Sequence, residues 1–113
     1  MNIRRPKKTV PMTDAVKKDI ARIEHLWRDC RARFGKGGKF LFGKFSIADA
    51  MYAPVVSRFE TYLVPVAEDT RAYMDTILAL PAFQDWRRAG IAEPPEWDLP
   101  HYEEGHTVEI SYR

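Results

Sequence analysis

The sequence predicts an all-α fold, a helical bundle of about four helices, and three observations carry this prediction. Apolar residues recur at spacings of four and three between Val16 and Phe34, as they do along one face of an α-helix. Ser46 and Asp49 form a Ser-x-x-Asp pattern before a second apolar segment, which is typical of a helix N-terminus. Strand-type alternation occurs only weakly, at residues 107–112.

Four helices follow from the apolar spacing and from the start and stop residues. The first is predicted from residue 13 or 14 to about residue 34, the second over residues 47–62 and the third over residues 68–79. Pro81 is predicted at the first position of a short fourth helix. The inward-facing residues of the first and third helices are expected to be Val16, Ile20, Ile23, Trp27, Cys30, Phe34, Tyr73, Ile77 and Leu80. The fourth helix is expected to hold Phe83, Trp86 and Ala89.

The Ser46–Asp49 pair predicts a capping box at the start of the second helix. The Ser46 hydroxyl can accept from the Asp49 backbone N–H, while the Asp49 carboxylate accepts from the Ser46 N–H. Phe45 stands where a hydrophobic staple onto Ala50 would place it. These residues are therefore assigned a structural role, and no catalytic residue is assigned in this sequence.

Length and composition indicate one domain of 113 residues. Residues 1–12 are interpreted as a basic extended arm, residues 13–92 as the helical domain, and residues 93–113 as a Pro-rich extended tail that cannot be helical. No run of 18 apolar residues is present, so no membrane contact is expected. The single cysteine, Cys30, excludes an intrachain disulfide and fits a reducing cytoplasm, where we expect the protein.

Charge is distributed unevenly along the chain. Residues 1–44 hold 13 Lys/Arg and 4 Asp/Glu, a balance of +9, and residues 45–113 hold 5 and 12, a balance of −7. Two interpretations remain open: the halves attract each other, or the basic half meets an acidic partner. Nucleic acid is not expected as that partner, because the basic arm lacks aromatic residues for base stacking.

Three chemical motifs are weighed and set aside. Residues 38–44 have the spacing of a phosphate-binding loop, but Phe45 replaces the required Ser or Thr and a helix precedes the loop instead of a strand. Cys30 lies on the apolar stripe and is interpreted as a core residue. A cluster in the tail has zinc-type donors but no zinc-type spacing, so no metal site is predicted from His101, Glu103, Glu104 and His106.

Residues 40–59, FLFGKFSIADAMYAPVVSRF, together with LALPAFQDW at residues 78–86, resemble the helical C-terminal domain of the glutathione S-transferases. In that family a Ser/Thr-x-x-Asp box opens a helix of the domain core after a similar loop, and Ser46 and Asp49 match it. The resemblance covers roughly residues 1–94. It implies the all-α fold, and it implies that the glutathione site and catalytic residue belong to an N-terminal thioredoxin-like domain that this sequence does not contain.

The resemblance leads to two hypotheses about function. The first is a scaffold or protein-interaction domain without a glutathione site. The second is a fragment of a glutathione S-transferase whose activity needs a thioredoxin-like domain. In either case we expect the isolated chain to be inactive, to need no cofactor, and to bind glutathione only if that domain is supplied. The expected partners are a second copy of the chain or a thioredoxin-like domain.

Overall fold

Four helices form the fold in the computed structural model, which describes residues 3–97. They are α1 (Asp14–Phe34), α2 (Ile47–Thr61), α3 (Glu68–Leu78) and α4 (Pro81–Ala92), and a 3-10 turn, Pro95–Trp97, follows them. The described residues include no extended strand, only two isolated bridges in the loop before α2. The prediction of an all-α bundle of about four helices is confirmed.

Local side chains account for most of the helix starts. Thr13 caps α1, because its hydroxyl accepts the Val16 N–H at 3.2 Å. Pro81 occupies the first turn of α4, where a missing N–H removes no helical hydrogen bond. The start of α3 differs, because a carboxylate oxygen of Glu24 on α1 accepts the backbone N–H of Ala67 at 2.7 Å.

The hydrophobic core is built around α3, which contacts α1, α2 and α4. Trp27 from α1 is its largest buried side chain, with ring centroids 4.7 Å from Tyr73, 5.3 Å from Tyr52 and 5.8 Å from Phe59. The buried apolar residues are Trp27, Leu41, Val56, Phe59, Tyr73, Met74, Ile77 and Phe83.

The predicted inward face is buried only where a neighbouring helix lies against it. Val16 and Phe34, at the two ends of the α1 stripe, are 44% and 45% exposed. The reason is length: α1 has 21 residues and α3 has 11, so at about 1.5 Å per residue α1 extends well beyond its partner. On α4, Phe83 is buried, whereas Trp86 and Ala89 are exposed.

The basic arm is tied to the helices. The Lys8 backbone N–H donates to the Thr61 carbonyl at 2.9 Å, at the end of α2. Arg5 donates to the Tyr62 hydroxyl at 3.0 Å, and Lys7 pairs with Glu60. These contacts hold the arm against the end of α2.

The predicted extended tail begins with a turn, which corrects part of that prediction. The Trp97 N–H donates to the Pro94 carbonyl at 3.0 Å and closes the 3-10 turn Pro95–Trp97. A single such turn accepts proline because it uses only the N–H of its last residue. The rest of the tail, including the predicted strand at residues 107–112, lies outside the described residues.

Candidate functional site

A buried carboxylate holds the loop before α2 against the core. Asp49 is fully buried, at 0% exposure. Its Oδ1 accepts from the Tyr73 hydroxyl at 2.9 Å and from the Leu41 N–H at 3.2 Å. Its Oδ2 accepts from the Ser46 N–H at 2.9 Å and from the Ser46 hydroxyl at 3.3 Å. One carboxylate thus connects the loop, the start of α2 and the middle of α3.

The Ser46 backbone is extended, with φ −140° and ψ 174°, as an N-cap residue requires. The Ser46 N–H donates to the Asp49 carboxylate, and this hydrogen bond belongs to the capping-box pattern that a sequence can predict. The bonds from Tyr73 and Leu41 come from residues 24 and 8 positions away, and no local pattern indicates them. Phe45, predicted to pack on Ala50, lies half-exposed with its ring edge-on to Phe40 at 5.7 Å.

Tyr73 serves Asp49 as a hydrogen-bond donor. Burial raises the pKa of the Tyr73 hydroxyl well above its ordinary value of 10, and the hydrogen bond to Asp49 raises it further. The hydroxyl therefore stays protonated over the physiological range and keeps donating to the carboxylate. This arrangement supports the fold, and it leaves neither group available for acid–base chemistry at the surface.

The loop with phosphate-loop spacing is folded inward. The Gly43 N–H donates to the Phe40 carbonyl at 3.0 Å, and the Gly38 N–H donates to the Gly35 carbonyl at 2.7 Å. Leu41 is 1% exposed and plugs the core. These N–H groups are used within the loop, whereas a phosphate-binding loop aims them at the anion. The structure therefore agrees with the interpretation of residues 38–44 as an apolar plug.

The other candidate residues do not assemble into a site. Cys30 is half-buried and packs against the core cluster. Trp86 lies half-exposed with its ring 5.4 Å from that of Phe83, and the Tyr62 hydroxyl accepts a hydrogen bond from Arg5 of the arm. Within residues 3–97 no group of His, Cys, Asp and Glu could hold a metal ion. The tail cluster at residues 101–106 lies outside the described residues.

Ion pairs join α1 to α3 and the arm to α2. Arg28 donates to both carboxylate oxygens of Asp69, at 2.6 and 3.1 Å, and this contact lowers the pKa of that carboxyl. Glu60 pairs with Lys7 and, at 2.8 Å, with Arg71, and its pKa is lowered chiefly by the hydrogen bond from Lys7. These contacts join the helices to one another, and they engage Arg5 and Lys7 of the arm within the domain.

The main open feature is an apolar strip on the outer side of α2, named here the α2 face. It consists of Ile47, Ala50, Met51 and Pro54, which lie on one side of the helix at spacings of three and four. Ile47 is 83% and Met51 is 74% exposed, and Ala50 and Pro54 are exposed too. The opposite side of the same helix carries Asp49, Val56 and Phe59, which are buried. The apolar spacing of these four residues is visible in the sequence, but their exposure is not, because it depends on whether another element covers the helix.

None of the helices within residues 3–97 is long and apolar enough to cross a bilayer. The architecture is thus an all-helical domain whose second helix is anchored by a buried carboxylate and carries an open apolar face.

Comparison with known proteins agrees with this architecture. Residues 13–89 match the family model described as glutathione S-transferase, C-terminal domain, and the chain belongs to that family. Searches of curated proteins and of solved structures gave no match.

Proposed function

We propose that this chain is a protein-interaction domain built on the glutathione S-transferase C-terminal fold, and that the α2 face is its binding surface. The observation that carries the proposal is the exposure of Ile47 and Met51, one helical turn apart, at 83% and 74%. The described residues bring together no nucleophile, base and open cavity of the kind a catalytic site needs.

The composition of α2 supports a partner on its outer side. A surface helix normally carries polar residues opposite its core face. On α2 the outer side of the first turns carries Ile47, Ala50 and Met51 where polar residues are usual, and the one charged residue of these turns, Asp49, is buried on the inner side. Contiguous exposed apolar surface of this kind marks interaction sites on soluble proteins.

A second copy of the chain is the partner we propose. Antiparallel pairing of two α2 helices would place Met51 near the two-fold axis and Ile47 opposite Pro54 of the other copy, so the same four residues serve on both sides. A stable interface buries about 800 Å² on each partner, which four residues do not supply. Phe42 and Phe45, on the loop that leads into α2, are also half-exposed and are the nearest large apolar side chains in the chain that could add to the interface.

Sedimentation equilibrium of the full chain and two variants tests this proposal. Wild-type protein is expected to move from its 13.1 kDa monomer mass toward twice that value as its concentration rises through the micromolar range. Met51→Glu is expected to stay monomeric, because pairing would bury two carboxylates near the axis. Val16→Glu, at an exposed apolar residue of α1, is the matched control and is expected to associate as wild type does. If Met51→Glu associates as strongly as wild type, the α2 face is not the binding surface.

The chain tested on its own is proposed not to bind or conjugate glutathione. In transferases of this family the residues that hold glutathione belong to the thioredoxin-like domain, whereas the matched residues, 13–89, belong to the C-terminal domain. Calorimetry with millimolar glutathione is expected to show no saturable heat, and binding tighter than about 1 mM, roughly −4 kcal/mol, would contradict this.

The family match also favours a second candidate, a transferase fragment that works with a thioredoxin-like domain. Its test is to add a purified thioredoxin-like domain of a transferase to this chain and measure conjugation. Activity that appears only in the mixture supports this candidate over the interaction domain. Equal activity with and without the chain excludes it for that domain.

We also propose that the protein works in the cytoplasm. The free thiol of Cys30, packed half-buried against the core, fits a reducing compartment. Fractionation of cells that express the full chain tests this, and recovery outside the cytoplasmic fraction would contradict it.

A further inference from the structure

The stretch of chain that contains the α2 face is basic. Within residues 31–58 the only acidic side chain is Asp49, which is buried and fully engaged. In the described part of the chain, Lys36, Lys39 and Lys44 form no ion pair. The cations of this segment are Arg31, Arg33, Lys36, Lys39, Lys44 and Arg58.

The basic loop runs directly into α2, since Lys44 lies three residues before Ile47, the first residue of that helix. Phe42 lies 5.7 Å from Phe34, and Phe45, the residue before the N-cap of α2, lies 5.7 Å from Phe40. Lys44 therefore adjoins the start of the α2 face in the chain, and Lys36 and Lys39 lie on the same loop as the half-exposed rings of Phe42 and Phe45. Such a surface fits an acidic segment that also offers apolar side chains.

The end of this chain has that composition. Residues 98–113 carry four acids and one base, a balance of −3. Their apolar side chains are Leu99, Tyr102, Val108, Ile110 and Tyr112. The segment is thus complementary to the surface around α2 both in charge and in apolar content.

The segment is also long enough. It follows Trp97, the last residue of the 3-10 turn after α4. Sixteen extended residues span roughly 50 Å, and the longest dimension of the molecule is 44 Å. A short tether of this kind gives the segment an effective concentration of about 1 mM at its own helices.

We propose that residues 98–113 pack on the α2 face of their own molecule and compete there with a second copy. This inference rests on the proposed function, since it describes how the same surface is regulated. If the free segment bound the α2 face with a dissociation constant of about 0.1 mM, an effective concentration of about 1 mM would leave the segment bound in roughly ten molecules for each one with an open face. Because a dimer needs two open faces, its dissociation constant would rise by about 100-fold.

Charge reversal in the full chain tests the competition. Glu103→Lys with Glu104→Lys opposes the lysines of the loop and is expected to tighten self-association by about tenfold or more relative to wild type. The matched control, Glu93→Lys with Glu96→Lys, reverses two exposed charges just before the segment and is expected to stay within about twofold of wild type. Equal association of both double variants overturns the inference.

A photo-crosslinking residue at position 51 tests the contact itself. In dilute full-length protein, illumination is expected to crosslink position 51 to a peptide within residues 98–113 of the same molecule. No covalent dimer, of twice the mass, is expected to form. The same group at position 16 is expected to give no such link. Failure to find the link at position 51 overturns the inference, whatever the oligomeric state.

The two proposals fail in different ways. If Met51→Glu abolishes association while the tail variants behave as wild type and no crosslink forms, the α2 face remains the proposed binding surface and the contact with residues 98–113 is refuted. If the link to residues 98–113 forms but neither wild type nor the charge-reversed variant associates at up to about 1 mM, the tail contact stands and pairing with a second copy falls.

Discussion

Replacing Asp49 by alanine is the perturbation for which the structure gives the clearest magnitude. The carboxylate is fully buried and accepts four hydrogen bonds, from Tyr73, from Leu41 and twice from Ser46. Alanine would leave the Tyr73 hydroxyl and two backbone N–H groups without a partner. Each orphaned buried donor costs about 1–3 kcal/mol. Three such donors sum to about 3–9 kcal/mol. A loss in the lower part of that range, about 3–5 kcal/mol, is expected because the Ser46 N–H is only part-buried, and this is a large part of the 5–15 kcal/mol that typically stabilises a domain.

The assay is urea unfolding of wild type, Asp49→Ala, Tyr73→Phe and the double variant, followed by circular dichroism and by tryptophan fluorescence. Tyr73→Phe removes one donor without leaving it buried and unpaired, so a smaller loss of about 1.5–3 kcal/mol is expected. In the double variant the orphaned hydroxyl is absent, and a coupling free energy of at least about 1 kcal/mol between the two sites is expected. An Asp49→Ala loss below about 1 kcal/mol, or a coupling near zero, would refute the assignment of Asp49 as the buried link between α2 and α3.

Three further predictions concern Ser46, Glu60 and Gly43. Ser46→Ala is expected to destabilise the fold by about 1 kcal/mol, less than Asp49→Ala, since the backbone N–H keeps its partner; thermal melting checks this, and an unchanged midpoint would contradict it. The pKa of Glu60 lies below its ordinary 4.5, so its ion pairs stabilise the fold above pH 4.5, and this stability is lost as the pH falls through the folded pKa. The free energy of unfolding, measured as a function of pH, is expected to fall less steeply below pH 4.5 for Glu60→Gln than for wild type. The same pH dependence in both proteins would exclude a contribution from the pair with Lys7. Gly43 has φ +86°, and a Cβ there would lie 2.8 Å from the Gly35 carbonyl oxygen, so Gly43→Ala is expected to lose more than about 1 kcal/mol in urea unfolding; no loss would show that the loop can rearrange.

Much of the helical framework could be predicted from local sequence because its causes are local. The hydroxyl of Thr13, the pair of Ser46 and Asp49, and Pro81 act within one turn of the helix start that each defines. The predicted starts of all four helices therefore agree with the structure to within one residue.

The candidate site could be predicted only in part. The spacing of Ser46 and Asp49 predicted their pairing, but the bonds that Asp49 accepts from Tyr73 and Leu41 depend on how α3 and the loop pack. The same holds for the α2 face, because an apolar residue such as Met51 has the same helical spacing whether or not another element covers it.

The sequence by itself determined where each helix begins, which residues are apolar and which end of the chain is basic. Tertiary structure decided which apolar residues are buried: Trp27 lies under α3 and is covered, while Val16, on the same stripe, extends past the end of that shorter helix. Periodicity records the side of a helix on which residues lie, and burial depends on the length and position of the neighbour. For that reason the buried role of Asp49 and the open α2 face came only from the packed helices.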